Sequence, residues 1–291
     1  MKIVGLYLVR NEEDIIEVNL RAHLSTWIDS ALVVDNGSSD GTLSRVKQLA
    51  REFPIKWTSD TGPYRQQAIF TDLAREAHSE GAAWVLAIDA DEFWCGVGGD
   101  PRRELANTDA GALFAELLTF VQRRDVLHNS PEALLTMTRR AATMVPFDGA
   151  EAALDRREIC FLEIESPRKC IVRPTADVTL ASGNHGASGM DGAEAPANIL
   201  KCLHAPIRSY DALVGKAHMG PRYGPGGFAP GQGWHSQRWY RLLQRGKLGQ
   251  EWAANSWDDR GLRLHVGLLR TVHRPVTVDM RLADTVRPWM A

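Results

Sequence analysis

Three carboxylates stand within four positions of the sequence, in the stretch "AWVLAIDADEFW" at residues 83–94. Asp89, Asp91 and Glu92 follow an apolar run and are followed by two aromatic residues. Carboxylates at this spacing repel one another, and burying them without a counter-charge is costly. The sequence therefore predicts that a positive group holds this cluster together.

A divalent cation is one such group. Asp89 and Asp91 are two residues apart, so in an extended segment their side chains share a face. Two carboxylates on one face at a strand end suit Mg²⁺ or Mn²⁺. An EF-hand does not fit, because Phe93 takes its fifth position and no Gly follows. The sequence has no P-loop and no strand-linked GxGxxG, so the metal is expected to hold a diphosphate.

The elements that position these residues alternate between strands and helices. Buried strands are predicted at 3–9, 30–35 and 83–89, with a shorter one at 55–60. Helices are predicted after Asn11, after Asp40 (as far as Phe53) and from about Arg65 to His78, with Asn11 and Asp40 as N-caps. This order predicts an α/β fold with right-handed crossovers and a mostly parallel, Rossmann-like sheet flanked by helices.

Polar residues follow each predicted strand where it ends. Ligands of open parallel sheets bind beyond the carboxyl ends of the strands. One polar site at that edge explains all four ends together. The residues are, in strand order, Arg10, Asn11 and Glu12; Asp35 and Asn36; Asp60; and Asp89 and Asp91.

Composition excludes several classes of protein. The 291 residues are 44% hydrophobic, which suffices for one large domain or two small ones. A formal net charge of −2 gives no basic surplus for nucleic acid or an anionic membrane. No apolar run reaches the length of a membrane span, and the N-terminus lacks the features of a signal peptide. The four cysteines have no zinc spacing, so we expect reduced thiols and a cytoplasmic protein.

The motifs "LVRNEED", "VVDNGSSDGT" and "LAIDADEFW" resemble the nucleotide-sugar-binding half of family 2 glycosyltransferases with the GT-A fold. The resemblance is specific over residues 3–95, is weaker through "KCIVRP", "GNHG" and "LHAPIRSYDALVGK", and is absent beyond about residue 235. It implies a GT-A fold, a nucleoside-diphosphate sugar donor with uridine favoured, Mn²⁺ or Mg²⁺, and hexosyl transfer to an unknown acceptor.

The resemblance also assigns roles to residues of the first half. It implies that residues at the ends of several strands contact the donor. It also implies that Asp91 is a metal ligand and that Asp89 faces ribose, metal-bound water or the metal itself. Glu12 can also simply favour a helix N-terminus, and Arg65 can be a solvated helix residue. The implied donor-binding residues are Arg10, Glu12, Asp35, Arg65 and Asp89, with Gln66 as a looser match beside Arg65.

Residues of the second half complete this expectation. The resemblance implies a downstream histidine in the metal shell, His204 or alternatively His185, although either can be structural. Lys216, Arg208 and Lys169 are predicted partners of the diphosphate, which gains negative charge as the sugar bond breaks.

An inverting transferase, which the resemblance favours over a retaining one, needs a carboxylate base. The predicted bases are Glu163 and Glu165, expected on one strand face of "CFLEIES", and Asp191. The two glutamates can equally be solvent-facing strand residues.

Three regions are expected along the chain. Residues 1–100 form the nucleotide-sugar half of a single domain, and 101–235 form the acceptor half, with a helix in "PEALLTMTRRAATMV". Residues 236–291 are an extension of unknown role that begins with a helix at 236–246; "GLRLHVGLLRTVHRP" reads as strand or helix. The Gly-rich stretch 220–234 is predicted to be a lid with aromatic groups for sugar stacking, or else an irregular surface loop.

Two other functions stay open. A sugar nucleotidyltransferase shares this sheet architecture but carries a Gly-rich loop after strand one, which "YLVRNEED" lacks. A non-catalytic nucleotide-sugar-binding protein is the other alternative. Neither the sugar nor the acceptor can be read from the sequence.

Overall fold

The computed structural model describes residues 1–223, 233–266 and 270–290. These residues form two compact units, each built from separate stretches of chain. Unit 1 consists of residues 1–118, 167–204 and 288–291, and unit 2 of residues 119–166 and 205–287. This division does not coincide with the boundaries near residues 100 and 235 that the sequence suggested.

Strands and helices alternate in the first part of the chain, as predicted. The strands in the described ranges are β1 (Ile3–Val9), β2 (Ser30–Asp35), β3 (Ile55–Ser59), β4 (Trp84–Ile88), β5 (Glu92–Gly96), β6 (Ala112–Thr119), β7 (Gln122–Arg123), β8 (Arg139–Ala141), β9 (Lys169–Val172), β10 (Thr179–Leu180), β11 (Ala187–Ser188), β12 (Glu194–His204), β13 (Ser256–Asp258), β14 (Gly261–Val266), β15 (Arg270–Arg274) and β16 (Val276–Val278). The α-helices are α1 (Ile16–Leu24), α2 (Thr42–Leu49), α3 (Gln66–Ser79), α4 (Pro101–Ala106), α5 (Ala150–Asp155), α6 (Tyr210–His218), α7 (Trp234–Gln244), α8 (Leu248–Ala254) and α9 (Arg281–Val286).

An eight-stranded sheet in the order β3-β2-β1-β4-β9-β6-β12-β5 forms the centre of unit 1. Strands β3, β2, β1 and β4 pair in parallel, which confirms the sequence prediction for residues 3–88. Pairs β4/β9, β9/β6 and β12/β5 are antiparallel, so the sheet is mixed rather than mostly parallel. The α/β class is confirmed.

The core of unit 1 explains why these segments form their elements. All seven residues of β1 are buried, as expected for a central strand covered on both faces. Helix α3 packs one apolar stripe against the sheet, with Ile69, Leu73 and Ala77 buried at helical spacing. Strand β3 is mostly exposed because it lies at the sheet edge.

Two helix boundaries differ from the sequence prediction. Helix α1 begins at Ile16, and Asn11 does not cap it but adopts a left-handed backbone with φ 54°. The Asn11 side chain instead accepts a hydrogen bond from the Ser39 backbone N–H at 2.8 Å. Helix α2 ends at Leu49, short of Phe53, and the Asp40 carboxylate accepts from the Thr42 N–H at 3.0 Å. Loop-to-loop hydrogen bonding thus replaces helix capping at Asn11.

Unit 2 contains a four-stranded sheet in the order β15-β14-β13-β7 and a two-stranded pair, β16/β8. Its core packs Trp239, Trp252 and Trp257 with aliphatic residues of α6, α8 and β14. Helix α7 confirms the helix predicted at 236–246, and β14 and β15 resolve the ambiguous C-terminal segment as an antiparallel pair.

Two segments of unit 2 contradict the sequence prediction. "PEALLTMTRRAATMV" forms a 3₁₀ helix at Pro131–Thr136 followed by β8, not an α-helix. "CFLEIES" forms a 3₁₀ turn at Phe161–Glu163, so Glu163 and Glu165 do not share a strand face. Nine of the fifteen residues of the predicted lid, 224–232, lie outside the described residues; its described ends form a 3₁₀ helix at Gly220–Tyr223 and the start of α7 at Trp234.

Candidate functional site

The acidic cluster forms a turn between β4 and β5. The Glu92 backbone N–H donates to the Asp89 carbonyl at 2.9 Å, and β5 begins at Glu92. The segment is therefore not extended, and the expectation that Asp89 and Asp91 share a strand face is wrong in its geometry. Asp91 and Glu92 are 5% and 1% exposed, so the turn points its charges into the protein.

Lys169 supplies a counter-charge for this turn. Its ammonium lies 3.0 Å from Asp89 Oδ2 and 2.7 Å from Glu92 Oε1, and its side chain is 5% exposed. Lys169 is the first residue of β9, which returns antiparallel beside β4. The sequence predicted a positive group for the three carboxylates. For Asp89 and Glu92 this group is Lys169, which lies 80 residues after Asp89 in the chain. This corrects the prediction that Lys169 contacts a diphosphate.

Burial and the neighbouring charges have opposite effects on the pKa values of Glu92 and Lys169. The pKa of Glu92 is raised to about 7 because burial raises it more than Lys169 lowers it, with a smaller upward contribution from Asp89. Burial lowers the pKa of Lys169, but Asp89 and Glu92 more than compensate and the pKa is raised overall. Glu92 Oε2 is buried and has no hydrogen-bond partner among the described residues. The three groups therefore form one coupled unit.

Gln66 connects the acidic turn to a second loop. Its Nε2 donates to Asp89 Oδ1 at 3.4 Å, and its Oε1 accepts from the Gly183 N–H at 3.0 Å. With Lys169 on the other oxygen, both carboxylate oxygens of Asp89 are engaged. Gln66 is the first residue of α3, so the helix places it directly beside the end of β4.

Side chains of helix α1 form hydrogen bonds with the backbone of the acidic turn and of the start of β5. Asn19, fully buried, donates its Nδ2 to the carbonyls of Ala90 at 2.9 Å and Glu92 at 2.7 Å. His23 Nε2 accepts from the Trp94 N–H at 2.9 Å. Burial lowers the pKa of His23 to about 4, so the ring is neutral at neutral pH, as an acceptor must be.

Two histidines lie at the same edge of unit 1. His204, the last residue of β12, stands opposite Glu92 in the β12/β5 register, and its Nε2 is 3.7 Å from Asp91 Oδ2. His185 hydrogen-bonds through Nδ1 to the Arg168 carbonyl at 2.9 Å, which leaves Nε2 as the acceptor nitrogen. Burial and the charge of Lys169 lower the pKa of His185. Of the two histidines, His204 therefore lies near Asp91, whereas His185 lies close enough to Lys169 for that charge to lower its pKa.

The first loop and β2 form the other side of the edge. Asp35 is 3% exposed and accepts from the Ser38 N–H at 3.2 and 3.3 Å. Arg10 donates to the Asn36 carbonyl at 2.6 Å, while its Nε is buried without a hydrogen-bond partner in the described residues. The Glu12 backbone N–H donates to Thr42 Oγ1 at 2.7 Å. These contacts fold the loop after β1 onto the loop after β2.

Asp60 and Arg65 lie at the end of β3. Asp60 accepts from the Gly62 N–H at 2.8 Å, and Arg65 approaches its other oxygen at 3.5 Å. Arg65 is 61% exposed, so this ion pair contributes little to stability and leaves the guanidinium accessible.

Asp191 is not brought to this edge of unit 1. It lies before β12, whose first and last residues, Glu194 and His204, are about 33 Å apart at about 3.3 Å per residue. A Cβ on Gly111 would meet the Asp191 carbonyl at 2.3 Å, which places Asp191 beside the start of β6. Glu163, Glu165 and Lys216 belong to unit 2.

The unit 2 residues have their own surroundings. Glu163 is 1% exposed; one oxygen pairs with Arg274 Nε at 2.7 Å and the other accepts from the Cys160 N–H at 2.8 Å. Glu165 is exposed, and Lys216 lies half-buried on α6. Glu163 is thus occupied by structural contacts, whereas Glu165 presents its carboxylate to solvent.

Sequence reasoning missed Asn19 and His23. His23 stood in the helical stripe of α1 and was grouped with its apolar residues, and Asn19 lies four residues earlier on the same face. Two polar residues at this spacing within a buried stripe were the available signal, because a buried amide or imidazole needs partners. Gln66, which the resemblance matched loosely as a donor contact beside Arg65, hydrogen-bonds Asp89.

A divalent cation fits part of this site. Among the described residues, no group of three or more His, Cys, Asp or Glu side chains is arranged to hold a metal. Asp91 and His204 provide two ligand atoms 3.7 Å apart, while Asp89 is engaged by Lys169 and Gln66. Mg²⁺ is commonly held by one or two protein carboxylates together with substrate phosphates. The residues fit a cation that arrives with, or is completed by, a phosphorylated ligand.

All four cysteines are unpaired, and Cys160, Cys170 and Cys202 are buried. None of the helices in the described ranges has the length and apolar character needed to cross a bilayer.

No protein-family model matches this sequence, and neither does the sequence of any curated protein. Among solved structures, S. aureus TarS 1–349 in complex with UDP-GlcNAc is 12% identical with a TM-score of 0.38, over 84% of this chain and 72% of that one. Mannosyltransferase PcManGT from Pyrobaculum calidifontis, in complex with GDP-Man and Mn²⁺, is 18% identical with a TM-score of 0.39, over 87% and 73%. Glucosyl-3-phosphoglycerate synthase from Mycobacterium tuberculosis is 18% identical with a TM-score of 0.31, over 59% and 55%. Identities and TM-scores this low decide nothing about what this chain does.

Proposed function

We propose that this chain transfers a glycosyl group from a nucleoside-diphosphate sugar, with uridine favoured, to an acceptor hydroxyl, with inversion at the sugar carbon. The observation that carries the proposal is the gathering of Asp35, Asp60 and the acidic turn at the carboxyl ends of parallel strands. The resemblance of the three strand-end motifs to family 2 glycosyltransferases supports it independently of the structure.

The nucleoside is proposed to bind over the ends of β1 and β2. Asp35 is oriented by the Ser38 N–H and Arg10 is anchored to the Asn36 carbonyl, and both are proposed to contact ribose or base. Glu12 and Arg65 border this surface. Lys216, carried by unit 2, is proposed as a partner of the diphosphate.

Asp91 and a histidine are proposed to hold Mn²⁺ or Mg²⁺, which would neutralise the diphosphate charge that develops as the sugar leaves. His204 is the first choice, because its Nε2 is near Asp91. His185 is the alternative, because its Nδ1 bond to a carbonyl resembles the support that metal-bound histidines usually have. Asp89 is assigned to orienting the turn through Lys169 and Gln66 rather than to direct ligation.

In the proposed reaction the acceptor oxygen forms a bond to the sugar carbon, and the bond from that carbon to the diphosphate oxygen breaks. The acceptor proton passes to a carboxylate base and the nucleoside diphosphate leaves. Glu165 is proposed as this base, because Glu163 is bonded on both oxygens and Asp191 lies at the opposite edge of unit 1. Glu165→Gln is expected to lower the transfer rate at least ~100-fold, whereas Glu163→Gln is expected to affect mainly stability.

Binding is tested by thermal denaturation with UDP or GDP, each with and without Mn²⁺. A nucleotide at ~100 times its Kd stabilises the folded state by about 2.7 kcal/mol, which gives a clear rise in Tm. Transfer is tested by nucleoside diphosphate release from a panel of donor sugars with acceptors. Release of pyrophosphate from a nucleoside triphosphate would indicate nucleotidyl transfer instead, and absence of any nucleotide effect would refute the proposal.

The metal assignment is tested by four variants in that assay. Asp91→Ala is expected to remove the Mn²⁺ dependence of nucleotide binding, and Asp35→Ala to weaken binding equally with and without Mn²⁺. His204→Ala is expected to raise the Mn²⁺ requirement by at least ~10-fold, with His185→Ala as the matched control. If His185→Ala raises the requirement and His204→Ala does not, the histidine ligand is on the loop after β10.

A further inference from the structure

Unit 2 contains a cavity of about 330 Å³ that lies among α5, α7, α8 and the segment that follows α5. All of its lining residues belong to unit 2. From its shape and charge we propose that this cavity binds a small organic anion that carries an apolar group and a phosphate. The inference does not depend on the proposed glycosyl transfer.

The charge of the lining departs from that of the chain. Five basic and two acidic side chains line the cavity, although the whole protein has a formal net charge of −2. Both acidic side chains are already engaged: Arg238 pairs with Asp155 and lies 3.6 Å from Glu251. The positive charge of the other basic residues is therefore not offset by carboxylates of the lining.

The remaining basic groups are poorly neutralised. Arg241 lies 3.8 Å from Glu151, and both side chains are more than half exposed, so the attraction is weak. Arg245 and Lys247 are exposed and make no ion pair with any described residue whose contacts the structure gives. An anion that enters the cavity therefore meets cationic groups that are open to it.

The spacing of the basic residues along α7 also indicates uncompensated positive charge. Arg238, Arg241 and Arg245 follow at i, i+3 and i+7, so they lie on one face of α7, and like charges at this spacing destabilise a helix. The helix macrodipole accounts for arginines near the C-terminal end of α7. It does not account for Lys247, which lies beyond the helix, or for Arg157, whose guanidinium is held at 3.1 Å by Gln250. A bound anion would relieve the repulsion of all these groups together.

Apolar side chains also line the cavity. Leu154, Ile159, Phe161 and Leu242 contribute to the lining, with Leu264 from β14. A volume of 330 Å³ is at the small end of the range of ligand pockets. Inorganic phosphate would leave these apolar side chains hydrated, whereas a ring or short chain would cover them. One guanidinium group can donate two parallel hydrogen bonds to two oxygens of a phosphate, which favours phosphate over a neutral polar group as the ligand.

Calorimetric titration of the full-length protein with phenyl phosphate tests the proposal. Inorganic phosphate, phenol and phenylacetate serve as the charge-only, ring-only and carboxylate probes. Phenyl phosphate is expected to bind about tenfold or more tightly than inorganic phosphate or phenol, since burial of the ring and the charge contacts both contribute. Tighter binding of phenylacetate would overturn the assignment of phosphate as the anion.

The double variant Arg245→Glu/Lys247→Glu reverses the accessible charge of the cavity. It is expected to weaken phenyl phosphate binding at least about tenfold, because two cations that can donate charged hydrogen bonds to the phosphate are replaced by carboxylates that repel it. Arg260→Glu/Arg263→Glu, at exposed positions of unit 2 outside the lining, has the same change of charge and is expected to bind like the wild type.

Equal binding by the two double variants, or no binding of phenyl phosphate by the wild-type protein, would overturn the proposal. All four substituted side chains are exposed, so both variants are expected to fold, which urea denaturation verifies. A variant that does not fold is replaced by Arg245→Gln/Lys247→Gln, for which the same loss of binding is required.

Discussion

The Lys169→Met variant tests whether this lysine is the counter-charge of the acidic turn. The substitution keeps the apolar stem and removes the ammonium that contacts Asp89 and Glu92. Glu92 is 1% exposed, so its carboxylate cannot be rescued by water and must take up a proton. In the wild type the pKa of Glu92 is already about 7, so keeping this carboxyl protonated in the variant costs only about 0.4 kcal/mol more at pH 7 but about 3 kcal/mol more at pH 9.

The pH dependence of the loss identifies its cause. Because the cost is that of protonating Glu92, the stability difference from the wild type is expected to rise from less than about 1 kcal/mol at pH 7 to about 3 kcal/mol at pH 9. Urea denaturation followed by tryptophan fluorescence at both pH values measures it. The double variant Lys169→Met/Glu92→Gln is expected to recover most of the loss at pH 9, because no charge then remains buried at position 92.

Lys56→Met is the matched control. Lys56 also contacts two carboxylates, Glu76 and Glu80, but its side chain is 58% exposed, so a loss below about 1 kcal/mol is expected. A loss for Lys169→Met at pH 9 that equals that of Lys56→Met, or a loss that does not grow between pH 7 and pH 9, would refute the counter-charge role. So would failure of Glu92→Gln to restore stability.

Two further predictions concern the support from α1. The pKa of His23 is lowered to about 4 from 6.5, so the unfolded chain binds the proton first and stability is lost as pH falls from about 6.5 towards 4. The wild type is therefore expected to lose about 2 kcal/mol more than His23→Gln between pH 7 and pH 5, measured by urea denaturation; an equal pH dependence of the two proteins would contradict this. Taking the difference cancels the opposite effect of Glu92, whose raised pKa makes it lose stability as pH rises. Asn19→Leu leaves the carbonyls of Ala90 and Glu92 unsatisfied and is expected to cost about 2–6 kcal/mol and to accelerate hydrogen exchange in β5, whereas unchanged exchange there would argue against the support.

Local sequence patterns determined the parallel half of the sheet. Residues a few positions apart define the apolar runs of β1, β2 and β4 and the helical stripe of α3. Such a pattern is visible in the local sequence without knowledge of which distant segments pack against it. Charge spacing alone likewise showed that Asp89, Asp91 and Glu92 need a positive group. The sequence also marked His204 and His185 for the same edge, through the resemblance of their segments.

Only the tertiary structure decided what stands beside the acidic turn. Lys169 and His204 reach it because β9 and β12 pair within the same sheet as β4 and β5, and pairing over such separations leaves no local periodicity. Residues 131–136 and 161–163 became 3₁₀ turns where the pattern suggested a helix and a strand, because burial and hydrogen bonding outweigh weak propensity in short segments. Lys169 shows the reason most clearly: as a lone residue at the start of a short strand it was expected beside a diphosphate, and the two carboxylates that hold it come together only when the sheet has formed.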